Sequence, residues 1–179
     1  MTKGVAMANK KLVNLLLQDE NANVANEEFE TLSGSDWVRL LSKKPQFANK
    51  CDKWDEFDGS DWWYLVSEQP GLADKCDWNK WDRDDWVHLL SSAPQFANKC
   101  DKWDEFDGND WWYLISEQPK IADKCDWSKL DTGNWFYLLS SAPLFADKCD
   151  RLGDFTEDAI KYLLNRQPQL AKFFNKNNN

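Results

Sequence analysis

DWVRLLSKKPQFANKCDKWDEFDGSDWWYL at residues 36–65 returns almost unchanged as DWVHLLSSAPQFANKCDKWDEFDGNDWWYL at residues 85–114. The two stretches belong to a longer near-duplication, in which residues 36–84 correspond to residues 85–133. Each copy contains two versions of one shorter pattern, so a two-unit block has been duplicated. Self-similarity over tens of residues is the sequence signature of a repeat protein.

Prolines and cysteines mark the shorter repeat. Successive prolines are separated by 25, 24, 25, 24 and 25 residues. A cysteine follows each of the first five prolines by six positions, and an alanine follows every proline by three. A period of this length predicts a solenoid of stacked helical units. The prolines are Pro45, Pro70, Pro94, Pro119, Pro143 and Pro168, and the cysteines are Cys51, Cys76, Cys100, Cys125 and Cys149.

Each unit contains signals for two helices. Trp-x-x-Leu-Leu places three apolar residues on one helical face, and the Asp or Ser before it is expected to cap the helix. This first helix must end by the proline, which suits the first position of a short second helix. Trp54 and Phe57, three residues apart, then favour a single 3₁₀ or α turn. Strand signals are absent.

We therefore predict an all-α fold, a solenoid of seven two-helix repeats of 24 or 25 residues with degenerate capping repeats at both ends. Residues 1–10 are expected to form an N-terminal extension, and residues 175–179 a disordered tail. Residues 11–174 form the single solenoid, with units at 11–35, 36–60, 61–84, 85–109, 110–133, 134–158 and 159–174.

The 24-residue period with paired short helices resembles the short-unit α-solenoids, and it is similar to the leucine-rich-repeat-variant family in period and helix layout. That resemblance implies an all-α repeat fold. Asp-Trp and Lys-Cys-Asp stand here in place of that family's usual Pro and Val-Arg positions. Nothing resembles the family's cysteine-rich cluster-binding segment, so the resemblance implies no cofactor.

Charge narrows the choice of partner. The chain carries 31 acidic and 22 basic residues, for a formal net charge of -9. This charge disfavours direct binding to nucleic acid or to anionic membranes, and it favours a protein partner with a basic surface. No apolar segment approaches the length of a membrane span and no signal peptide is evident, so we expect a cytoplasmic protein. Nothing in the sequence indicates its oligomeric state.

One column of residues is the leading candidate for a binding surface. The position two residues after the core tryptophan is expected on the opposite side of the first helix and holds Arg, Tyr or His, types that are enriched in binding surfaces. The position just before it is apolar and contains two more tryptophans. Both columns could instead fill grooves between neighbouring repeats. The candidate partner-binding residues are Arg39, Tyr64, His88, Tyr113, Tyr137, Trp63 and Trp112.

Acidic residues form a second candidate surface. Two equal patches arise from the duplication and lie at helix junctions, where some of the carboxylates are expected to cap helices. The remainder could form a ridge that imitates the phosphates of a nucleic acid. The residues of this acidic ridge are Asp52, Asp55, Glu56, Asp58, Asp101, Asp104, Glu105 and Asp107.

The sequence favours a non-enzymatic, protein-binding scaffold. The alternative is an acidic nucleic-acid mimic that inhibits a DNA- or RNA-binding protein, such as a phage-defence nuclease. An enzyme is the third hypothesis, but His88 has no Ser or Cys partner motif. The cysteines lack metal-ligand spacing, and equivalent positions should lie too far apart for disulfides, so we predict small core residues and neither a metal site nor a cofactor.

Overall fold

The structure, a computed structural model, describes residues 3–175. Over this range the chain is built from helices and turns, without a β-strand, as expected for an all-α repeat protein. None of these helices is long and apolar enough to cross a membrane. The α-helices are α1 (Lys3–Gln18), α2 (Asn26–Glu30), α3 (Gly34–Leu41), α4 (Gly59–Glu68), α5 (Arg83–Ser92), α6 (Gly108–Glu117), α7 (Thr132–Ser141), α8 (Glu157–Arg166) and α9 (Ala171–Phe174).

A 3₁₀ helix begins at each of the six prolines. In the repeats that contain a proline, the second helix was expected to begin at this residue. Proline suits this position because its fixed φ angle matches the helix and its missing N–H would have no partner there. These proline-initiated helices are Pro45–Lys50, Pro70–Lys75, Pro94–Lys99, Pro119–Lys124, Pro143–Lys148 and Pro168–Leu170. Single 3₁₀ turns follow at Trp54–Glu56, Trp78–Lys80, Trp127–Lys129 and Leu152–Asp154.

The chain forms two compact units, of which the first ends at Leu89 and the second begins at Leu90, within α5. In the first unit α3 packs against α1 and α4, and in the second unit α7 packs against α6 and α8. Neighbouring repeats therefore lie side by side within each unit.

The two predicted terminal segments have different outcomes. Helix α1 runs from Lys3 through the expected boundary at residue 10. Asn9, within that segment, is 2% exposed and donates a hydrogen bond of 2.7 Å to the backbone carbonyl of Thr31. Of the tail expected to be disordered, residues 176–179 lie outside the described residues.

The N-caps lie one helical turn earlier than expected, so the prediction that the Asp before each core Trp is the cap is wrong. In α4 the cap is Asp58, whose carboxylate accepts the backbone N–H of Asp61 at 2.9 Å. In α6 the Asp107 carboxylate accepts the backbone N–H of Asp110 at 3.1 Å, and the Asp110 carboxylate accepts the backbone N–H of Asp107 at 2.9 Å. The Asp before the tryptophan is thus the third residue of a reciprocal capping box. The apolar pattern could not show the additional turn, because that turn is polar.

The cores of the two units contain five tryptophans, one from each of five successive first helices. All five side chains are fully buried. Each indole stacks on an aromatic ring eight residues earlier in the chain, with centroids 5.3–5.8 Å apart and planes inclined by 10–18°. The indole N–H groups have no hydrogen-bond acceptor within residues 3–175, so apolar area and ring stacking supply the stabilisation. The five are Trp37, Trp62, Trp86, Trp111 and Trp135.

Candidate functional site

The column of Arg, Tyr and His residues lies on the surface of the first helices. Tyr64 and Tyr113 are each 37% exposed, and Tyr137 is 54% exposed. Arg39 and His88 are exposed as well. A position two residues after a buried core tryptophan lies about 200° around the helix, so it faces away from the core. We call these five residues, together with Tyr162 at 50% exposure, the stripe. Arg39, Tyr64 and His88 are its members in the first unit, and Tyr113, Tyr137 and Tyr162 are its members in the second.

In the first unit, the stripe is joined to a half-buried tryptophan. The rings of Trp63 and His88 stack with centroids 5.0 Å apart and planes inclined by 25°. Trp63 also meets the ring of Tyr64 edge-on at 6.2 Å. Trp63 and His88 come from adjacent repeats, so this contact packs the repeats together and still leaves ring surface exposed.

In the second unit the same arrangement extends over three helices. The ring of Trp112 contacts the ring of Tyr137 in the next repeat, with centroids 5.2 Å apart. The rings of Phe136 and Tyr162 make the same kind of contact, with centroids 5.3 Å apart. Within each helix, the ring of Trp112 or Phe136 meets the adjacent tyrosine, Tyr113 or Tyr137, roughly edge-on. We call these five residues the second-unit ladder.

The other members of the apolar column are buried. Val38 and Val87 are 8% and 9% exposed, whereas Trp63, Trp112 and Phe136 remain partly exposed. The valines are short enough to be covered by neighbouring side chains, whereas the larger rings reach the surface. Packing between repeats explains the buried valines, and binding stays a prediction for the three partly exposed rings.

An open groove of about 450 Å³ adjoins the stripe in the first unit. Val38 and Leu17 supply apolar lining, and Arg39 and Tyr64 line it from the stripe. The Arg39 guanidinium donates a hydrogen bond of 2.8 Å to the side-chain oxygen of Asn14 on α1. This bond orients the guanidinium without neutralising its charge.

Two members of the acidic ridge are helix caps. Asp58 accepts hydrogen bonds from the Asp61 backbone and from the Ser60 hydroxyl, and these bonds lower the pKa of the Asp58 carboxyl. Burial and the neighbouring Asp58 charge raise the pKa of Asp61. Asp107 caps α6 in the same way. The Asp58 and Asp107 carboxylates stabilise helix N-termini, and both side chains remain exposed.

One lysine lies within each half of the remaining ridge, at Lys53 and Lys102. Glu56 accepts a bond from the backbone N–H of Gly34 at 3.1 Å and lies 3.7 Å from the Lys53 ammonium. Glu105 pairs with Lys102 at 2.9 Å. The ridge residues with exposed side chains that do not cap their own helix are Asp52, Asp55, Glu56, Asp101, Asp104 and Glu105. Asp52 also lies 3.9 Å from the Lys53 ammonium.

The cysteines are less deeply buried than expected for core residues. Cys100 is buried, and the other four are partly exposed. Burial raises the pKa of the thiols, to about 11 for Cys51, Cys100 and Cys149 and to about 12 for Cys76 and Cys125. Nearby aspartates act in the same direction, because they disfavour a thiolate. These thiols are protonated and weakly nucleophilic at neutral pH.

Sequence reasoning identified the stripe but not its ring contacts. The available signal was the spacing, because Trp63 and His88 are 25 residues apart and so are Trp112 and Tyr137. A side chain one position ahead of the stripe can therefore reach the stripe residue of the next repeat. Comparisons of the chain with protein-family models, curated proteins and solved structures found no match.

Proposed function

We propose that this chain is a non-enzymatic scaffold that binds a protein through the stripe. The observation that carries the proposal is the second-unit ladder. In it, Tyr137 and Tyr162 expose about half their surface, while contacts with Trp112 and Phe136 hold their rings in place. Rigid, partly exposed aromatic side chains bind at low entropic cost and are frequent hot spots of protein interfaces.

Charge complementarity supports a partner with a basic surface. The net charge is -9, and such a charge accelerates encounter with a basic protein. The exposed carboxylate of Glu117 lies one helical turn after Tyr113, whereas the equivalent Glu68 pairs with Lys43 at 2.7 Å. Cationic side chains of the partner could therefore meet a tyrosine ring and a carboxylate together. Five free cysteines are consistent with a reducing compartment, so we propose that the scaffold acts in the cytoplasm.

Site-specific photo-crosslinking tests the proposal. A photoreactive phenylalanine analogue replaces Tyr137 in one variant and Leu144 in another, and crosslinked proteins are identified by mass spectrometry. Leu144 is the matched control, because it is 64% exposed and apolar but lies in a proline-initiated helix. We expect one protein to crosslink from Tyr137 only. Purified partner should then bind wild type and lose at least about tenfold affinity for a Tyr113→Ala, Tyr137→Ala variant. Equal crosslinking from both positions would contradict the proposal.

The alternative, inhibition of a nucleic-acid-binding protein by the acidic ridge, has less support. Asp58 and Asp107 are used as caps, and Glu105 is paired with a lysine. An Asp52→Asn, Asp55→Asn, Asp101→Asn, Asp104→Asn variant separates the two functions. Under our proposal it retains the partner at high salt. Loss of a nucleic-acid-binding partner in this variant, with no effect of the tyrosines, would favour the alternative.

A further inference from the structure

A second groove, unrelated to the stripe, lies in the second unit between the proline-initiated helices Pro94–Lys99 and Pro119–Lys124. Its volume is about 510 Å³. Pro94, Ala97 and Ile121 provide apolar lining, and Ile121 is 3% exposed. We call it the lysine groove, because two lysines line one of its sides.

Charge in the lysine groove is opposite in sign to the charge of the chain. Lys120 and Lys124 are both exposed, and no carboxylate within residues 3–175 lies at ion-pair distance from either ammonium. Asp123 is the one acidic residue of the lining. Gln95 and Asn98 line the groove with amide groups, which can donate hydrogen bonds.

We propose that the lysine groove binds an acidic peptide segment, with an apolar side chain between Pro94 and Ile121 and carboxylates at Lys120 and Lys124. An unpaired ammonium stabilises a carboxylate placed beside it, and amide donors can bind the peptide backbone. The proposal is independent of the stripe, which lies on the first helices.

The internal duplication supplies a matched control. Forty-nine residues earlier, the first unit has the same residue types at the equivalents of Pro94, Gln95, Ala97, Asn98, Asp123 and Lys124. Gly71 replaces Lys120 there, and Leu72 replaces Ile121. A Cβ atom added to Gly71 would meet nothing within 4 Å, and no residue from 3 to 175 has a positive φ angle. Gln46, the equivalent of Gln95, donates a hydrogen bond of 2.6 Å to the carboxylate of Glu20, so Glu20→Gln is added to remove that negative charge. A Glu20→Gln, Gly71→Lys variant is therefore expected to fold and to reproduce the second lysine.

Isothermal titration of the full chain with a blocked Gly-Glu-Leu-Glu-Glu-Leu-Glu-Gly peptide tests the proposal. At low salt we expect one peptide per chain. Each of Lys120→Gln and Lys124→Gln should weaken binding about two- to fivefold, since exposed ion pairs contribute little individually. The Glu20→Gln, Gly71→Lys variant should raise the stoichiometry to two. The same peptide with Gln in place of Glu should bind at least about fivefold more weakly.

Several results would overturn the proposal. These are no binding at millimolar peptide, equal binding of the Gln peptide, an unchanged dissociation constant in the Lys120→Gln, Lys124→Gln double variant, or one peptide per chain in the Glu20→Gln, Gly71→Lys variant. Lysine-dependent binding of a short oligothymidine in place of the peptide would also overturn it, by showing a nucleic-acid site. Circular dichroism confirms that each variant is folded, and the Tyr113→Ala, Tyr137→Ala variant should bind the acidic peptide like wild type.

Discussion

The indole rings of Trp54 and Trp62 lie face to face, with centroids 5.5 Å apart and planes inclined by 12°. Trp62 belongs to the first helix of one repeat, and Trp54 to the 3₁₀ turn of the repeat before it. The stack therefore joins consecutive repeats directly. The same contact recurs between Trp127 and Trp135, also at 12°.

Truncation of this stack should weaken the fold strongly. Trp62→Ala removes a fully buried ring, and we expect the free energy of unfolding to fall by about 3–5 kcal/mol. Urea unfolding followed by circular dichroism measures the loss. Trp63→Ala, at the next position but partly exposed, should cost at least about 2 kcal/mol less. Equal losses in the two variants would show that Trp62 has no special place in the core.

Gly59 should not tolerate a side chain. A Cβ atom at this position would collide with the carboxylate of Asp85 on α5. We expect Gly59→Ala to lower the free energy of unfolding by about 1–3 kcal/mol, because the Asp85 carboxylate must leave the hydrogen bond of 3.1 Å that it accepts from the backbone N–H of Asp82. Gly71→Ala is the control, since the space around it is open, and it should change stability by less than about 1 kcal/mol. A neutral Gly59→Ala would show that Asp85 moves aside freely.

Lys129 should stabilise the junction between two repeats. Its ammonium donates to the backbone carbonyls of Asp104 and Phe106, at 2.6 and 2.7 Å. We expect Lys129→Met to lower the free energy of unfolding by about 1–3 kcal/mol. The substitution removes two charge-assisted hydrogen bonds and leaves the partly buried carbonyl of Phe106 without its partner. Lys148→Met, at an exposed position, should be nearly neutral in the same thermal and urea measurements. The prediction fails if the two variants melt alike.

Alkaline pH should destabilise the fold through the thiols. Burial raises the pKa of the folded thiols to about 11–12, above the ordinary value of 9.0. Between these values the unfolded chain has lost its thiol protons and the folded chain retains them, so the free energy of unfolding falls as pH rises. We expect iodoacetamide to alkylate the native thiols with a midpoint above pH 10, and the urea-unfolded thiols with a midpoint near 9. A native midpoint near pH 9, seen by mass spectrometry, would contradict the assigned burial.

Much of the local structure could be predicted from the repeat. Proline restricts the residue before it and favours the start of a helix, so the six prolines predicted where the six proline-initiated 3₁₀ helices begin. Trp62 and Leu65 are three residues apart, and this helical spacing predicted the buried face of α4. The cap was placed wrongly at Asp61, since the apolar pattern does not extend to the polar turn that begins at Gly59.

The candidate site was predictable only in part. Exposure of Tyr64 and Tyr137 follows from helical geometry, because a residue about 200° from the core must face outwards. The contact of Trp112 with Tyr137 does not follow from one helix alone, since it depends on how closely α6 and α7 approach. The lysine groove was missed for the same reason, because its walls come from two repeats.

The proline-initiated helices and the buried face of each helix that carries a core tryptophan follow from the sequence alone, because backbone sterics at proline and the periodicity of apolar residues act over a few neighbouring positions. Packing of the repeats sets which ring stacks on which, as for Trp54 on Trp62. Packing also leaves Lys120 and Lys124 without an ion-pair partner among residues 3–175. These relationships depend on the distance and rotation between successive repeats. Packing of many side chains together sets both quantities, and no single segment of the sequence encodes them.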